Sequence, residues 1–253
     1  MTDVFSERLA AWRNYTESPW GRIRYAVVEE TLRRETSKLG GVLRILDVGG
    51  GDGMDALPLA QAGHDVTILD QSSSWLDEAG RRAADAGTRV RAVVGDLTDP
   101  PQLGEFDVVL CHFVLQYRPA DADDLARLAH YTRSGGFVSV IVPNPASMVL
   151  RELVIDGPTA ALSELDAETK RAVTFNHDVR KIAMVELERA LEQVGLSVVQ
   201  RYGTRIANEL LADNDCKHDR EYFKDLLRLE LALCDQEPFV RIGGMYQLIA
   251  TKP

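Results

Sequence analysis

The sequence predicts an α/β protein built on a doubly wound, mostly parallel sheet, and three observations predict it. Strand-like and helix-like stretches alternate from residue 42 to residue 142. The strands are near-continuous apolar runs, such as Val108-Val109-Leu110, the pattern of strands covered on both faces. A glycine-rich turn, Gly49-Gly50-Gly51-Asp52-Gly53, joins the first strand to the helix after it. Right-handed crossovers then make the doubly wound topology the simplest one.

Residues 4–12 carry a short helical pattern (Val4, Phe5, Leu9, Trp12), and Glu17 to Gly21 read as a turn around Pro19. A second helix is expected over 23–34, with Ile23, Val27 and Leu32 near one face. The first strand is 42–48, followed by a helix over 54–61. The second strand, 65–70, leads into a helix over 74–86 that Ser72 or Ser73 can cap. Strands follow at 89–94 and 106–112, then a helix at 121–131, a turn at Gly135-Gly136 and a strand at 137–142. A helix over 181–193 and strands at 196–202 and 245–251 bring the sheet to seven strands. The whole chain, 1–253, is read as one domain with an N-terminal helical cap over about 1–40. Two stretches break the alternation, 144–178 (helix-like over 160–172) and 204–244 (helix-like over 220–234). Insertions that long are usually functional, and both are expected to act as lids over a ligand.

Composition excludes several classes. The chain has 253 residues, 45% hydrophobic and 27% charged, enough for a full core and far from disorder. No apolar run approaches the eighteen or so residues that span a bilayer, and Asp3 and Glu7 interrupt any signal-peptide pattern. The three cysteines, Cys111, Cys216 and Cys234, lack metal-ligand spacing; no metal is expected, and a reducing cytoplasm suits them. The net charge is -10, with the acidic excess between residues 41 and 203. No basic stripe is visible of the kind that grips phosphate backbones, so a small-molecule partner is expected before a nucleic acid.

The glycine turn lies at the carboxyl end of the first strand, where open α/β sheets bind ligands. Glycine lets the backbone turn tightly there and approach a ligand closely. The G-x-G-x-x-G dinucleotide pattern fails at Met54, and no Gly-Lys-Ser/Thr follows to make a P-loop. Asp47 followed by Gly49, Gly51 and Gly53 fits D-x-G-x-G-x-G instead. Asp70, at the tip of the second strand, can accept both ribose hydroxyl hydrogens, with Gln71 next to it. That pairing resembles the class I methyltransferases, with their Rossmann-like sheet, and implies S-adenosyl-L-methionine as cofactor. The same resemblance implies that Asp96, ending Val93-Val94-Gly95-Asp96, accepts from the adenine amino group while the Leu97 amide donates.

The chain also resembles the tRNA 5-carboxymethoxyuridine methyltransferase family. The resemblance is carried by Gly21-Arg22-Ile23-Arg24, Leu46 to Gly53, Cys111-His112-Phe113-Val114-Leu115-Gln116-Tyr117 and Leu229-Glu230 through Gln236-Glu237-Pro238-Phe239. It implies cofactor contacts at Arg24 (to the methionine carboxylate), Asp47, Gly49, Gly50, Gly51, Asp70, Gln71, Asp96, Leu97 and His112. A guanidinium suits the Arg24 role because it grips a carboxylate with two N–H groups at once. The chain departs from that family at Ile206-Ala207-Asn208-Glu209-Leu210, where a polar, basic run is expected. It departs again at Gly243-Gly244-Met245-Tyr246, where an Arg is expected. The architecture is similar as well to small-molecule methyltransferases of natural-product pathways, including those that methylate an indole carbon.

Methyl transfer needs alignment, a dry pocket and, for a protonated nucleophile, a base. His112, at the tip of the fourth strand, is the candidate base, with Tyr25 assisting. Tyr15, Trp20, His177, Arg205, Glu209 and Tyr246 are the candidate acceptor-side residues. The expected function is methyl transfer to a small aromatic or heterocyclic metabolite. The alternatives are the tRNA carboxylate reaction and a non-catalytic cofactor-binding protein, since a fold alone does not fix function.

Overall fold

The computed structural model describes residues 9–99, 101–120, 123–172 and 177–253, with 9–11, 13, 171, 172 and 177 by backbone alone. Two helices, α1 (Leu9–Glu17) and α2 (Pro19–Leu39), precede the sheet. Then come β1 (Arg44–Val48), α3 (Leu57–Gln61), β2 (Asp65–Asp70), α4 (Ser73–Asp85), β3 (Arg91–Val94), β4 (Phe106–His112), α5 (Asp124–Tyr131) and β5 (Thr132–Pro143). The first insertion holds α6 (Pro145–Asp156), α7 (Pro158–Asp166) and a hairpin of β6 (Thr169–Ala172) and β7 (His177–Arg180). The chain continues with α8 (Met184–Gln193), β8 (Ser197–Thr204), α9 (Ile206–Glu209), α10 (Arg220–Leu233) and β9 (Met245–Thr251).

The seven strands run in the order β3-β2-β1-β4-β5-β9-β8, and β9 alone is antiparallel to its neighbours. The expected seven-stranded, mostly parallel sheet is therefore present. Alternate strand residues feed two cores. Ile45, Ile68, Val108 and Leu110 pack with Ile23, Val27 and Leu32 of α2 on one face. Leu46, Leu69, Val109 and Cys111 pack with Leu128, Leu187 and Leu191 of α5 and α8 on the other. Each fully buried aliphatic side chain contributes roughly 1.5–3 kcal/mol, so the continuous apolar runs hold the sheet between its helix layers.

Several local expectations change. Pro19 does not make a turn; it opens α2 at the position where its missing N–H costs nothing, with the Ser18 side chain accepting the Gly21 amide at 3.1 Å. Gly135-Gly136 does not end the chain's run either. Thr132 pairs with Phe106 and Phe137 with Val108, so residues 133–136 bulge within β5. The helix expected over 160–172 stops at Asp166, and the rest of that stretch pairs as a hairpin. The part of the expected first helix at residues 4–8 lies outside the described residues. No described helix is long and apolar enough to cross a membrane.

Candidate active site

The glycine turn leaves β1 in a sequence of left-handed residues: Gly49, Gly51 and Gly53 have φ of 67°, 53° and 77°. A side chain is strained at such angles. The Gly49 amide donates to the Leu69 carbonyl at 2.7 Å, which ties the turn to the tip of β2. Gly50 is held differently: a Cβ there would meet Asp47 Oδ2 at 2.4 Å and Ile68 Cγ2 at 2.9 Å. At Gly51 a Cβ would meet nothing within 4 Å, because the turn faces open space.

That space is a cavity of about 500 Å³, within the usual range for small-molecule sites. Its walls include Asp47, Gly49, Gly50, Gly51, Asp70, Gln71, Asp96 and Leu97, so the expected cofactor residues of three strand tips meet in one place. Asp70 also braces the turn, accepting from Gly51 N at 3.0 Å and Ser72 N at 2.9 Å. Asp96 accepts from Thr98 N at 2.6 Å and faces Arg118 at 3.4 Å.

The roof comes from the N-terminal cap. Trp12 and Tyr15 of α1 line the cavity, with ring centroids 5.6 Å apart, and Trp12 meets Trp75 edge-on at 6.1 Å. The Trp12 indole donates to Asp52 Oδ2 at 3.1 Å, pinning α1 to the glycine turn. Among the described residues the 204–244 stretch contributes nothing to this lining. Its α10 packs instead on α2, with Leu226 and Cys234 in the core there. Among the described residues of the first insertion and its hairpin, only Val179 reaches the cavity.

Arg24, also in the cavity lining, is buried and pairs both terminal nitrogens with Asp55, at 2.5 Å each. The fork expected for a methionine carboxylate is therefore already engaged, leaving Arg24 only its outer N–H groups to offer. The rings of Tyr25 and Phe113 lie 4.2 and 4.9 Å from its guanidinium carbon. Phe113 reaches that position with φ of 59°, a left-handed angle costly for an aromatic residue. Burial pushes the Asp55 acid up, but Arg24 and His112 outweigh it and hold it near a pKa of about 2.

His112 lines the cavity too, with both ring nitrogens occupied. Nδ1 is 2.8 Å from Asp55 Oδ2 and Nε2 is 2.8 Å from Ser139 Oγ. Burial lowers its pKa, only partly opposed by Asp55. A general base needs a free lone pair toward the acceptor, and His112 presents none; the expected role as base is not supported by its contacts. Tyr25 presents the reverse case. Its side chain is part of the cavity lining, and its hydroxyl is buried without a hydrogen-bond partner. Burial raises its pKa well above the usual value, so it is a hydroxyl donor and a poor proton acceptor.

The acceptor-side expectations separate. Tyr15 lines the cavity. Tyr246 does not: it is fully buried between β9 and α8, donating to the Ile182 carbonyl at 2.9 Å. Trp20 packs edge-on against His218 at 6.3 Å, away from the lining. Arg205 and Glu209 pair with each other behind the wall and reach the cavity only through a hydrogen bond from Arg205 to Tyr15. The side chain of His177 lies outside the described residues. Sequence reasoning missed Asp55, the acid that joins Arg24 to His112, and the cavity residues Trp75 and Gln116. Trp75 Nε1 and Gln116 Oε1 are buried without partners, like the Tyr25 hydroxyl. The charge of the cavity is set by Asp52, Asp55, Asp70 and Asp96 against Arg24 and Arg118, which suits a ligand bearing a sulfonium and an ammonium.

Fold and site together define an S-adenosyl-L-methionine-dependent methyltransferase, and the chain belongs to that family. Residues 45–136 match the methyltransferase domain model. The chain is 30% identical over 179 residues to the ubiquinone biosynthesis O-methyltransferase of Aeromonas salmonicida (strain A449), covering 68% of this chain and 71% of that one. It is 28% identical over 252 residues to the tRNA 5-carboxymethoxyuridine methyltransferase of Escherichia coli (strain K12), covering 95% and 92%. Among solved structures, magnesium protoporphyrin IX methyltransferase from Synechocystis PCC 6803 with bound S-adenosylhomocysteine superposes with a TM-score of 0.64 at 16% identity, over 96% and 94% of the two chains. The chain is an enzyme of this class and its cofactor is S-adenosyl-L-methionine.

Proposed function

We propose that the chain methylates a small aromatic or heterocyclic molecule. The cofactor supplies an electrophilic methyl group on a sulfonium. The observation that carries the reading is the wall of the cavity: Trp12, Tyr15, Tyr25, Trp75, Phe113 and Tyr117 line it, and its two described cations are both paired with acids. Aromatic walls suit a flat acceptor, and a polyanion would find no unpaired cation among these residues.

In this reading Asp70 holds the ribose, Asp96 and Leu97 the adenine, and the glycine turn passes along the methionine part. The outer N–H groups of Arg24 meet the methionine carboxylate. The Tyr25 hydroxyl donates to the acceptor and orients it, while Trp12 and Tyr15 exclude water. With both His112 nitrogens engaged, the favoured acceptor is already nucleophilic, such as an electron-rich ring nitrogen or carbon.

A second reading, methylation of tRNA, is favoured by the 95% coverage of this chain in the similarity to the Escherichia coli enzyme. Labelled methyl transfer to a panel of small heterocycles and to bulk tRNA carrying 5-carboxymethoxyuridine decides between them. Label in a heterocycle with none in tRNA is expected; label confined to tRNA overturns the proposal.

A further inference from the structure

Behind the cavity wall, hydrogen bonds continue from His112 along the α2-facing side of the sheet to α2 itself. Ser139 Oγ lies 2.8 Å from His112 Nε2, Gln247 Nε2 lies 2.9 Å from Ser139 Oγ, and Thr31 Oγ1 lies 2.7 Å from Gln247 Oε1. Thr31, Ser139 and Gln247 are each at most 2% exposed, so water cannot substitute for any partner.

The directions follow from the Asp55 end. Its carboxylate, gripped by both terminal nitrogens of Arg24, takes the His112 proton on Nδ1, so Nε2 is an acceptor and receives the single Ser139 hydrogen. Ser139 Oγ then accepts from the Gln247 amide N–H, which turns Oε1 toward Thr31, whose one hydroxyl hydrogen lies within reach of both Oε1 and the Val28 carbonyl. The groups of unlike charge acting on the ring are Asp55 and Arg24; Ser139 and Gln247 on the strands behind it are neutral.

We propose that Gln247 is a positioning residue: from the α2 face of the sheet its amide keeps Ser139 a donor to His112 Nε2, and so holds on Nδ1 the proton that Asp55 accepts while it pairs with Arg24. Gln247 is not part of the cavity lining. It acts through Ser139 and His112 on the acid that fixes the Arg24 guanidinium. The inference concerns only these contacts and does not depend on which acceptor is methylated.

The decisive variant is Gln247→Glu. A carboxylate has no N–H for Ser139, so Ser139 donates to it and must accept from His112 Nε2–H instead. Asp55 still demands the proton on Nδ1, and both conditions together require an imidazolium. Imidazole nitrogen NMR of the full-length protein, with the His112 signals assigned by their loss in His112→Asn, reads this directly. The wild type is expected to show a neutral ring protonated on Nδ1 at pH 7. Gln247→Glu is expected to show both nitrogens protonated at pH 7, and its cofactor affinity to acquire a pH dependence that the wild type lacks. An Nε2-protonated ring in the wild type overturns the proposal, even should the variant fail to fold. An unchanged His112 signal in folded Gln247→Glu, with the introduced carboxyl shown to be ionised by its carbon-13 shift, overturns it as well.

Discussion

Asp70 clasps Gly51 across the mouth of the cavity, its Oδ2 accepting the glycine amide at 3.0 Å from the neighbouring strand tip. The acid proposed to hold the ribose is thus also part of the turn that passes beside the methionine.

Asp70→Ala removes both functions. A hydrogen bond to a charged group contributes about 1.5–3 kcal/mol, so cofactor affinity should fall by roughly ten- to a hundredfold. Calorimetric titration checks this, with circular dichroism confirming the fold. Unchanged affinity contradicts the ribose role.

Two neighbouring glycines should respond differently. Gly50→Ala drives a Cβ into Asp47 and Ile68 and should cost stability, about 1–3 kcal/mol as an overpacked site. Gly51→Ala meets no atom and pays only for its left-handed angle, about 1–2 kcal/mol. It should nonetheless weaken cofactor binding at least tenfold, because its methyl group enters the cavity. Denaturant melts paired with binding titrations separate the two; full affinity in Gly51→Ala refutes the assigned path of the cofactor.

The pH dependence should carry the mark of Asp47. Burial, with Asp55 and Asp70 nearby, raises its acid well above the ordinary carboxylate range. Between the ordinary and the raised value the folded chain binds a proton that the unfolded chain has lost, so this group makes stability fall as pH rises. Asp55 and His112 act oppositely: their lowered values give stability that is present above their unfolded pKa and lost as pH falls. Asp47→Asn should therefore gain stability relative to wild type on going from about pH 5 to pH 8. Thermal melts across that range test it. A cationic cofactor should also expel the Asp47 proton, which calorimetry in buffers of different ionisation enthalpy detects.

Tyr25→Phe isolates the unpartnered hydroxyl. Deleting a buried group with no partner relieves about 1–3 kcal/mol of desolvation, so the melting temperature should hold or rise. Acceptor kcat/KM should drop tenfold or more with cofactor affinity unchanged. A variant with wild-type turnover removes Tyr25 from the acceptor site.

Local patterns made the sheet and the cofactor wall legible. β2, β4 and β9 have the bounds expected from their apolar runs, and the D-x-G-x-G-x-G turn with Asp70 announces the cofactor. Asp55 was not legible because its meaning comes from Arg24, 31 positions before it, and His112, 57 after it. Tyr246 was misread for a related reason. Successive strand residues face opposite sides, and β9 turns Tyr246 toward Ile182 while Gln247 faces α2. Nothing in the residue types says which of the two points toward the polar side.

The helix α2 carries both Arg24 and Thr31, two turns or about 10 Å apart along its axis. The bonded path from Arg24 through Asp55, His112, Ser139 and Gln247 returns to Thr31, so it forms a ring closed by the helix backbone. A ring resists sliding: shifting the helix by one residue step would detach both of its ends together. Since α10 braces that helix from outside, substitutions far from any ligand can tighten or slacken the entire circuit.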